Sequence, residues 1–224
     1  AETARIFGLQ RPEVVRTEHG EPRVALAMER YSEPFRQLLR HKRVCEVSRD
    51  ILGTAAFYNH QYKIVTKQPF GSTSMPWHQD YGSWRNIDGM PRPQAITIGI
   101  YLEEVSEFNG PLVFIPGSHR DGLLKGGLKV LPGRSSPSVM LDEDAVRQHY
   151  ERGGAVAPKG PAGTAIIFHP LLVHGSGPNL SPHWRHIVYI SPNPVDNHLV
   201  NPGREEMLAS RDFSPMVAEV EAIA

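Results

Sequence analysis

The 224 residues suit one domain, large enough to bury a single core without disulfides or a structural metal. Lysine plus arginine equals aspartate plus glutamate at 24 each, so there is no global positive field for nucleic acid or an anionic membrane, and a small-molecule partner must be recognised locally. A lone cysteine, Cys45, excludes a disulfide framework and a cysteine-rich zinc module and predicts a reducing, cytoplasmic setting, while no apolar run reaches the ~20 residues of a membrane span.

Glycine and proline, at 20 each, fall between short runs rich in β-branched and aromatic residues, the texture of an all-β barrel or sandwich. Residues 1–31 are mixed and polar, with a short strand predicted only at Val24 to Met28. They open on Ala1 without a signal-peptide pattern, and a first residue other than methionine leaves room for an upstream segment. From Ser32, the order Ser-Glu-Pro supplies a cap and an early proline, and Phe35, Leu38 and Leu39 follow at helical spacing. A second helix is predicted from about Arg43 to Leu52, stopping at Gly53.

AFYNHQYKIV (56–65) then alternates as a strand, with Phe57, Asn59, Gln61, Lys63 and Val65 on one face and Tyr58, His60, Tyr62 and Ile64 on the other. Further strands are predicted at QAITIGIYLE (94–103), PLVFI (111–115), TAIIFH (164–169) and RHIVYIS (185–191), separated by Gly- and Pro-rich turns. Between the second and third of these, Gly117 to Met140 reads as a mobile loop or lid. Asp142 to Arg152 reads as a capped helix ended by Gly153-Gly154.

PWHQDYGSW (76–84) carries the first chemistry. On a strand, residues two apart project to the same face, so His78 and Asp80 can reach one ion while Gln79 points away. Spacing alone is weak evidence: eleven histidines and the chain's aspartates give roughly 0.4 such pairs by chance, and His119-Arg120-Asp121 is a second match. That second pair follows Pro116-Gly117-Ser118, in turn chemistry that fixes no strand geometry, and reads as structural. FHPLLVHGSGPN offers two further histidines, His169 and His174. Arg185 begins an apolar strand, sharing a face with Ile187 and Tyr189, and so points inward, where a guanidinium needs an anion. Either a structural carboxylate or the carboxylate of a ligand fits that need. Two histidines and one carboxylate make the facial triad of non-haem iron(II) oxygenases. A zinc hydrolase uses the same donors, but the helical H-E-x-x-H motif is absent.

PWHQDYGSW, DGMP (88–91), FNGPLVFIPGSH (108–119), GPAGT (160–164) and HGSGPNLSP (174–182), followed by Arg185, together resemble the phytanoyl-CoA dioxygenase superfamily of Fe(II)- and 2-oxoglutarate-dependent oxygenases. Within it they are most similar to ectoine hydroxylases and to bacterial hydroxylases of free amino acids such as leucine. The resemblance runs in order from about residue 32 to the C-terminus. It implies one domain over 1–224 with a double-stranded β-helix, a cupin-like jelly-roll barrel with flanking helices. It also implies Fe(II), 2-oxoglutarate and O2 as the reaction's cofactor and cosubstrates.

Position by position, His78, Asp80 and His174 match the iron ligands that form the catalytic centre, and Arg185 matches the arginine on the far carboxylate of 2-oxoglutarate. Ser176, Thr97 and Lys63 match cosubstrate contacts, with Lys63 standing where ectoine hydroxylases have arginine. Gln61, Trp84, Phe168 and Tyr189 match substrate-pocket positions, though each also suits a core or strand-face role. His169 reads as a satisfied structural histidine. Val65 stands where relatives often carry asparagine. Gln79-Asp80-Tyr81-Gly82-Ser83-Trp84 replaces the Ser-Asp-Phe-Glu-Thr-Trp of ectoine hydroxylases, which argues against ectoine itself.

The reaction implied is hydroxylation of an unactivated C–H in a small amino-acid-like or natural-product substrate, with release of succinate and CO2. Related halogenases have Ala or Gly where Asp80 stands, so the carboxylate implies hydroxyl transfer. An acyl-CoA substrate would need phosphate-binding cations, for which Lys125, Lys129 and Arg134 are the candidates. A non-catalytic barrel binding a small carboxylate is the alternative of another class.

Overall fold

A computed structural model describes residues 1–131 and 137–219. In chain order the elements are α1 (Glu2–Gly8), β1 (Val14–Arg16), β2 (Pro22–Leu26), α2 (Glu33–Leu39), α3 (Lys42–Leu52), β3 (Phe57–Lys67), β4 (Met75–His78), α4 (Asp80–Asn86), β5 (Thr97–Tyr101), β6 (Leu112–Phe114), β7 (Gly126–Lys129), β8 (Ser138–Leu141), α5 (Glu143–Gly153), β9 (Ala165–Phe168), β10 (His174–Ser176) and β11 (Arg185–Pro194). The chain is mainly β. One antiparallel sheet runs β1-β2-β3-β11-β5-β9, a second runs β4-β10-β6, and β7 pairs with β8. Among the described residues no helix is long and apolar enough to cross a membrane.

The two long strands at the centre of the large sheet set what faces what. Tyr62 and Ile64 of β3, with Val188 and Ile190 of β11, pack outward under Ile6, Phe35, Leu39 and Val44 of α1, α2 and α3. The intervening residues, Gln61, Lys63 and Val65 with Arg185, Tyr189 and Ser191, turn the other way and line a cavity shared with the three-stranded sheet. Burying each of these aliphatic side chains contributes about 1.5–3 kcal/mol, so a slip of one residue, which would send Lys63 and Arg185 into the helical layer, is strongly opposed.

The alternation fails at one place. Gln61 pairs with Ser191 and Asn59 with Pro192, leaving His60 as the extra residue of a β-bulge. His60 therefore leaves the Tyr62 face expected for it and packs edge-on against Trp84, ring centroids 5.0 Å apart.

The N-terminal residues hold more than the one predicted strand. Ile6 and Phe7 are buried in an otherwise polar stretch, and their packing, not local propensity, makes α1 a helix. Ser32 precedes α2 as expected, but its hydroxyl bonds Glu2 Oε1 at 2.6 Å instead of capping the helix. The segment predicted as a loop or lid, 117–140, contains the 3-10 turn Ser118–Asp121 and the β7–β8 pair. Arg134 lies outside the described residues. β8 docks closely on α4: a Cβ on Gly82 would sit 3.2 Å from Val139 Cβ, and Ser83 Oγ accepts the Val139 N–H at 3.0 Å.

Candidate active site

At the centre of PWHQDYGSW the strand becomes a helix. His78 ends β4, Gln79 is extended (φ −117, ψ 129), and Asp80 is the first residue of α4. The expected strand spacing of His78 and Asp80 is thus replaced by a strand-to-helix junction. Its cause is Gln79, which donates to the carbonyls of Gly122 (2.9 Å) and Leu171 (2.6 Å) and accepts from Leu124 N–H (2.9 Å), pinning the backbone where it turns.

The junction nevertheless brings the two side chains together. His78 Nε2 lies 3.6 Å from Asp80 Oδ1, and His174 Nε2 lies 3.9 Å from the same oxygen. His174 faces His78 across the β10–β4 ladder, with ring centroids 4.1 Å apart. One ligand atom from each of the three lies within 4.8 Å of the others. Each imidazole donates its Nδ1–H to a backbone carbonyl at 2.9 Å, Pro76 for His78 and Leu172 for His174, which leaves both Nε2 lone pairs aimed at the shared point.

Electrostatics suits a cation there. Burial alone would raise the Asp80 carboxyl, but the adjacent His174 and His78 and the Lys63 ammonium hold it below the usual carboxylate range. Burial, with His78 alongside, lowers His174 to about 4, so its imidazole is neutral near pH 7. Thr97 donates its hydroxyl to Asp80 Oδ2 at 3.1 Å and fixes the carboxylate's rotation. Phe168 and Phe114 cover the His174 ring at centroid distances of 4.9 and 5.8 Å.

Arg185 stands in the same cavity and is 1% exposed. Its Nη2 donates to the Gly110 carbonyl at 2.9 Å, while Nε and Nη1 are buried and, among the described residues, make no hydrogen bond, with the Tyr189 hydroxyl nearby. Burial lowers its affinity for its proton, yet a guanidinium stays charged in a protein. Among the described residues no carboxylate pairs with it, which removes the structural salt bridge as its explanation. A buried, half-satisfied cation is costly unless a ligand supplies the anion.

The remaining sequence candidates line this cavity of about 110 Å³: Ser176, Lys63, Gln61, Trp84, Phe168 and Tyr189. Lys63 Nζ donates to Gln61 Oε1 at 3.2 Å and lies 5.7 Å from the Tyr189 ring centre. Gln61 Nε2 donates to the Leu208 carbonyl at 2.6 Å, tying the C-terminal segment over the site. His169 is not part of this group; its Nδ1 accepts the Leu171 N–H at 3.1 Å, and its ring lies beside His119.

Sequence reasoning missed Arg204, Ser191, Ser138 and Ser83 in the cavity wall. Ser191 was within reach, because it continues the inward face of Arg185, Ile187 and Tyr189. Arg204 sits in NPGREE, which reads as a surface turn. Only its bidentate pairing with the buried Asp88 of DGMP (Nε to Oδ1, 2.8 Å, and Nη2 to Oδ2) turns it to the site.

Comparison with known proteins agrees with this geometry. The profile of the phytanoyl-CoA dioxygenase (PhyH) family matches residues 3–187. The chain is 35% identical over 228 aligned residues to the L-proline trans-4-hydroxylase of Streptomyces griseoviridis, covering 95% of this chain and 84% of the relative. It is 33% identical over 213 residues to the ectoine dioxygenase of Streptomyces avermitilis, covering 91% and 72%. Among solved structures, EctD of S. alaskensis with 2-oxoglutarate and 5-hydroxyectoine superposes with a TM-score of 0.83 at 29% identity, covering 97% of this chain and 76% of that one.

Proposed function

The chain belongs to the phytanoyl-CoA dioxygenase family, and from that premise we propose that it is an iron(II)- and 2-oxoglutarate-dependent hydroxylase of a small amino-acid-like molecule. One observation carries the reading: two histidines and a carboxylate converge in a cavity that also holds a buried arginine without a counter-ion. Solved structures of the EctD relative with iron and with 2-oxoglutarate support the same assignment.

His78, Asp80 and His174 would hold the metal through two imidazole nitrogens and one carboxylate oxygen, leaving the other coordination positions to ligands. Arg185 would grip the far carboxylate of 2-oxoglutarate through Nε and Nη1, the two donors the fold leaves unpaired, with Ser176 and Lys63 beside it. When bound, iron(II) and 2-oxoglutarate supply the oxidative decarboxylation with O2 that releases succinate and CO2 and delivers hydroxyl to an unactivated C–H. Thr97 positions Asp80, and the Phe114 and Phe168 rings keep water from His174. Asp80, where a halide would need room, favours hydroxylation. We read the six- and three-stranded sheets as the two faces of a jelly-roll double-stranded β-helix in one domain, and the single cysteine favours a cytoplasmic setting.

A small substrate suits this narrow cavity between the two sheets. Gln61, Trp84, Phe168 and Tyr189 offer an apolar slot with polar ends, and Arg204, held by Asp88, lines the same cavity. Proline and ectoine, which name the relatives, are small zwitterions. An acyl-CoA is less suited to so narrow a cavity. The test is to add Fe(II) and 2-oxoglutarate anaerobically and record the visible charge-transfer band of the chelate. A succinate-release screen over L-proline, other free amino acids, ectoine and a peptidyl-carrier-bound amino acid follows. Absence of the band would overturn the iron assignment; a band with no small zwitterion accepted would overturn the substrate class.

A further inference from the structure

Beside Arg185 stands a second buried cation that the proposed reaction does not use. Lys67 is the register partner of Arg185 across β3 and β11, so both side chains leave the sheet on the same face. Lys67 is 4% exposed, and among the described residues its ammonium meets no carboxylate; it donates to the backbone carbonyls of Thr73 (2.7 Å) and Gly177. Its stem passes so close to Gly110 that a Cβ there would lie 2.6 Å from Lys67 Cδ. At that residue φ is +72°, so only glycine meets both demands without strain.

These contacts link the backbone pieces from which the Arg185 end of the cavity is assembled. Gly110 supplies the carbonyl that holds Arg185 Nη2, Gly177 directly follows Ser176, and Thr73 precedes β4. The charged groups acting on Lys67 are Arg185 from β11 and Arg23 from β2, both cations; the loops at 73, 110 and 177 present backbone to it. Burial first, then those two cations, lower its ammonium from 10.5 to about 7. A neutral amine still has two N–H donors for the two carbonyls, so loss of the proton leaves the fold intact and changes only the charge.

We propose that Lys67 is a positioning residue for the cosubstrate, and that a dicarboxylate binding at Arg185 draws a proton from solvent onto the Lys67 amine. The inference rests on the assignment of Arg185 as the 2-oxoglutarate anchor. Two carboxylates near pH 7 are already ionised, so the proton taken up belongs to the protein. Affinity is then flat below about pH 7 and weakens by up to about tenfold per pH unit above it, until the liganded lysine itself titrates.

The experiment is calorimetric titration of the anaerobic, Fe(II)-loaded full chain with 2-oxoglutarate at pH 6.5, 7.5 and 8.5, each in two buffers of different ionisation heat. The expected result is a proton uptake that is small at pH 6.5 and approaches one per site at pH 8.5. Lys67→Met is expected to abolish the uptake and weaken binding at pH 6.5 by tenfold or more, and Lys67→Arg to restore affinity without the uptake. Wild-type binding with no proton uptake at pH 8.5 overturns the inference, and that measurement needs no variant to fold. Uptake that persists in Lys67→Met overturns it as well. A wild type that does not bind 2-oxoglutarate at all overturns the Arg185 assignment, and this inference with it.

Discussion

Two histidine–aspartate pairs with identical spacing occur in this chain, and they end in opposite circumstances. His119 and Asp121 lie in the 3-10 turn Ser118–Asp121, where Asp121 is taken by His149 Nε2 at 2.9 Å and by Arg152. His78 and Asp80 flank a strand-to-helix junction, and the Asp80 carboxylate lies beside the His78 and His174 imidazoles and the Thr97 hydroxyl, with the Lys63 ammonium of β3 acting on it as well. One carboxylate is paired with Arg152 of α5, with His149 bonded to the same oxygen. The other is half-buried where two imidazole nitrogens converge on it. The difference lies in the surroundings of the pair, not in its spacing.

The largest expected effect breaks that contrast. Asp80→Ala removes the only carboxylate of the triad and is expected to abolish the charge-transfer band and lower 2-oxoglutarate turnover by about 10³-fold or more, within the range of losing a group essential to transition-state charge stabilisation. Asp121→Ala, the matched control, is expected to keep the band and stay within about twofold in turnover, with a lowered Tm from freeing α5.

Arg185→Met comes next. It removes a buried cation whose Nε and Nη1 lack partners, so 2-oxoglutarate affinity is expected to fall by about 10²-fold, from roughly 2–5 kcal/mol of lost charge pairing. The ligand-free protein is expected to melt no lower than wild type, because an uncompensated buried charge is gone. A lower ligand-free Tm would place Arg185 among structural cations, as Arg152 is.

Lys67 gives a pH-dependent contrast with a definite sign. Its folded-state value, about 7, lies below the ordinary 10.5, so between those limits the unfolded chain binds more protons and this group raises the stability of the free protein as pH rises. Cosubstrate affinity changes in the opposite direction. The rise in Tm produced by 2-oxoglutarate is therefore expected to shrink between pH 7 and pH 9, which thermal melts with and without cosubstrate will show.

Gly82→Ala is the smallest change. The new Cβ meets Val139 Cβ at 3.2 Å, so β8 must yield by a few tenths of an ångström, at a cost of about 1–3 kcal/mol for a packed site. The charge-transfer band is expected to be retained, since Gly82 touches the hairpin and not the metal donors. Loss of the band would mean that β8 docking also positions Asp80.

Much of this site was legible because a strand's period of two is robust wherever one face is buried. Gln61, Lys63, Arg185 and Tyr189 all stand on the inward face that alternation assigns them. The family resemblance, not the spacing, singled out His174 over His169. What stayed hidden depends on distant partners. Gln79 turns the strand into α4 by bonding residues 122, 124 and 171, and the bulge at His60 is visible only in its register with β11. Arg204 reaches the cavity through Asp88, and α1 is helical because Ile6 and Phe7 find a sheet to cover. None of these has a local signature.

The central claim is that His78, Asp80 and His174 form an iron centre facing a 2-oxoglutarate held by Arg185. Its most direct test is an anaerobic titration of Fe(II) in the presence of 2-oxoglutarate, followed by the visible charge-transfer band, for wild type, Asp80→Ala and Asp121→Ala side by side. One iron per chain and a band are expected in wild type and Asp121→Ala, and no band in Asp80→Ala. A band of equal strength in Asp80→Ala, or its absence from the wild type, would contradict it.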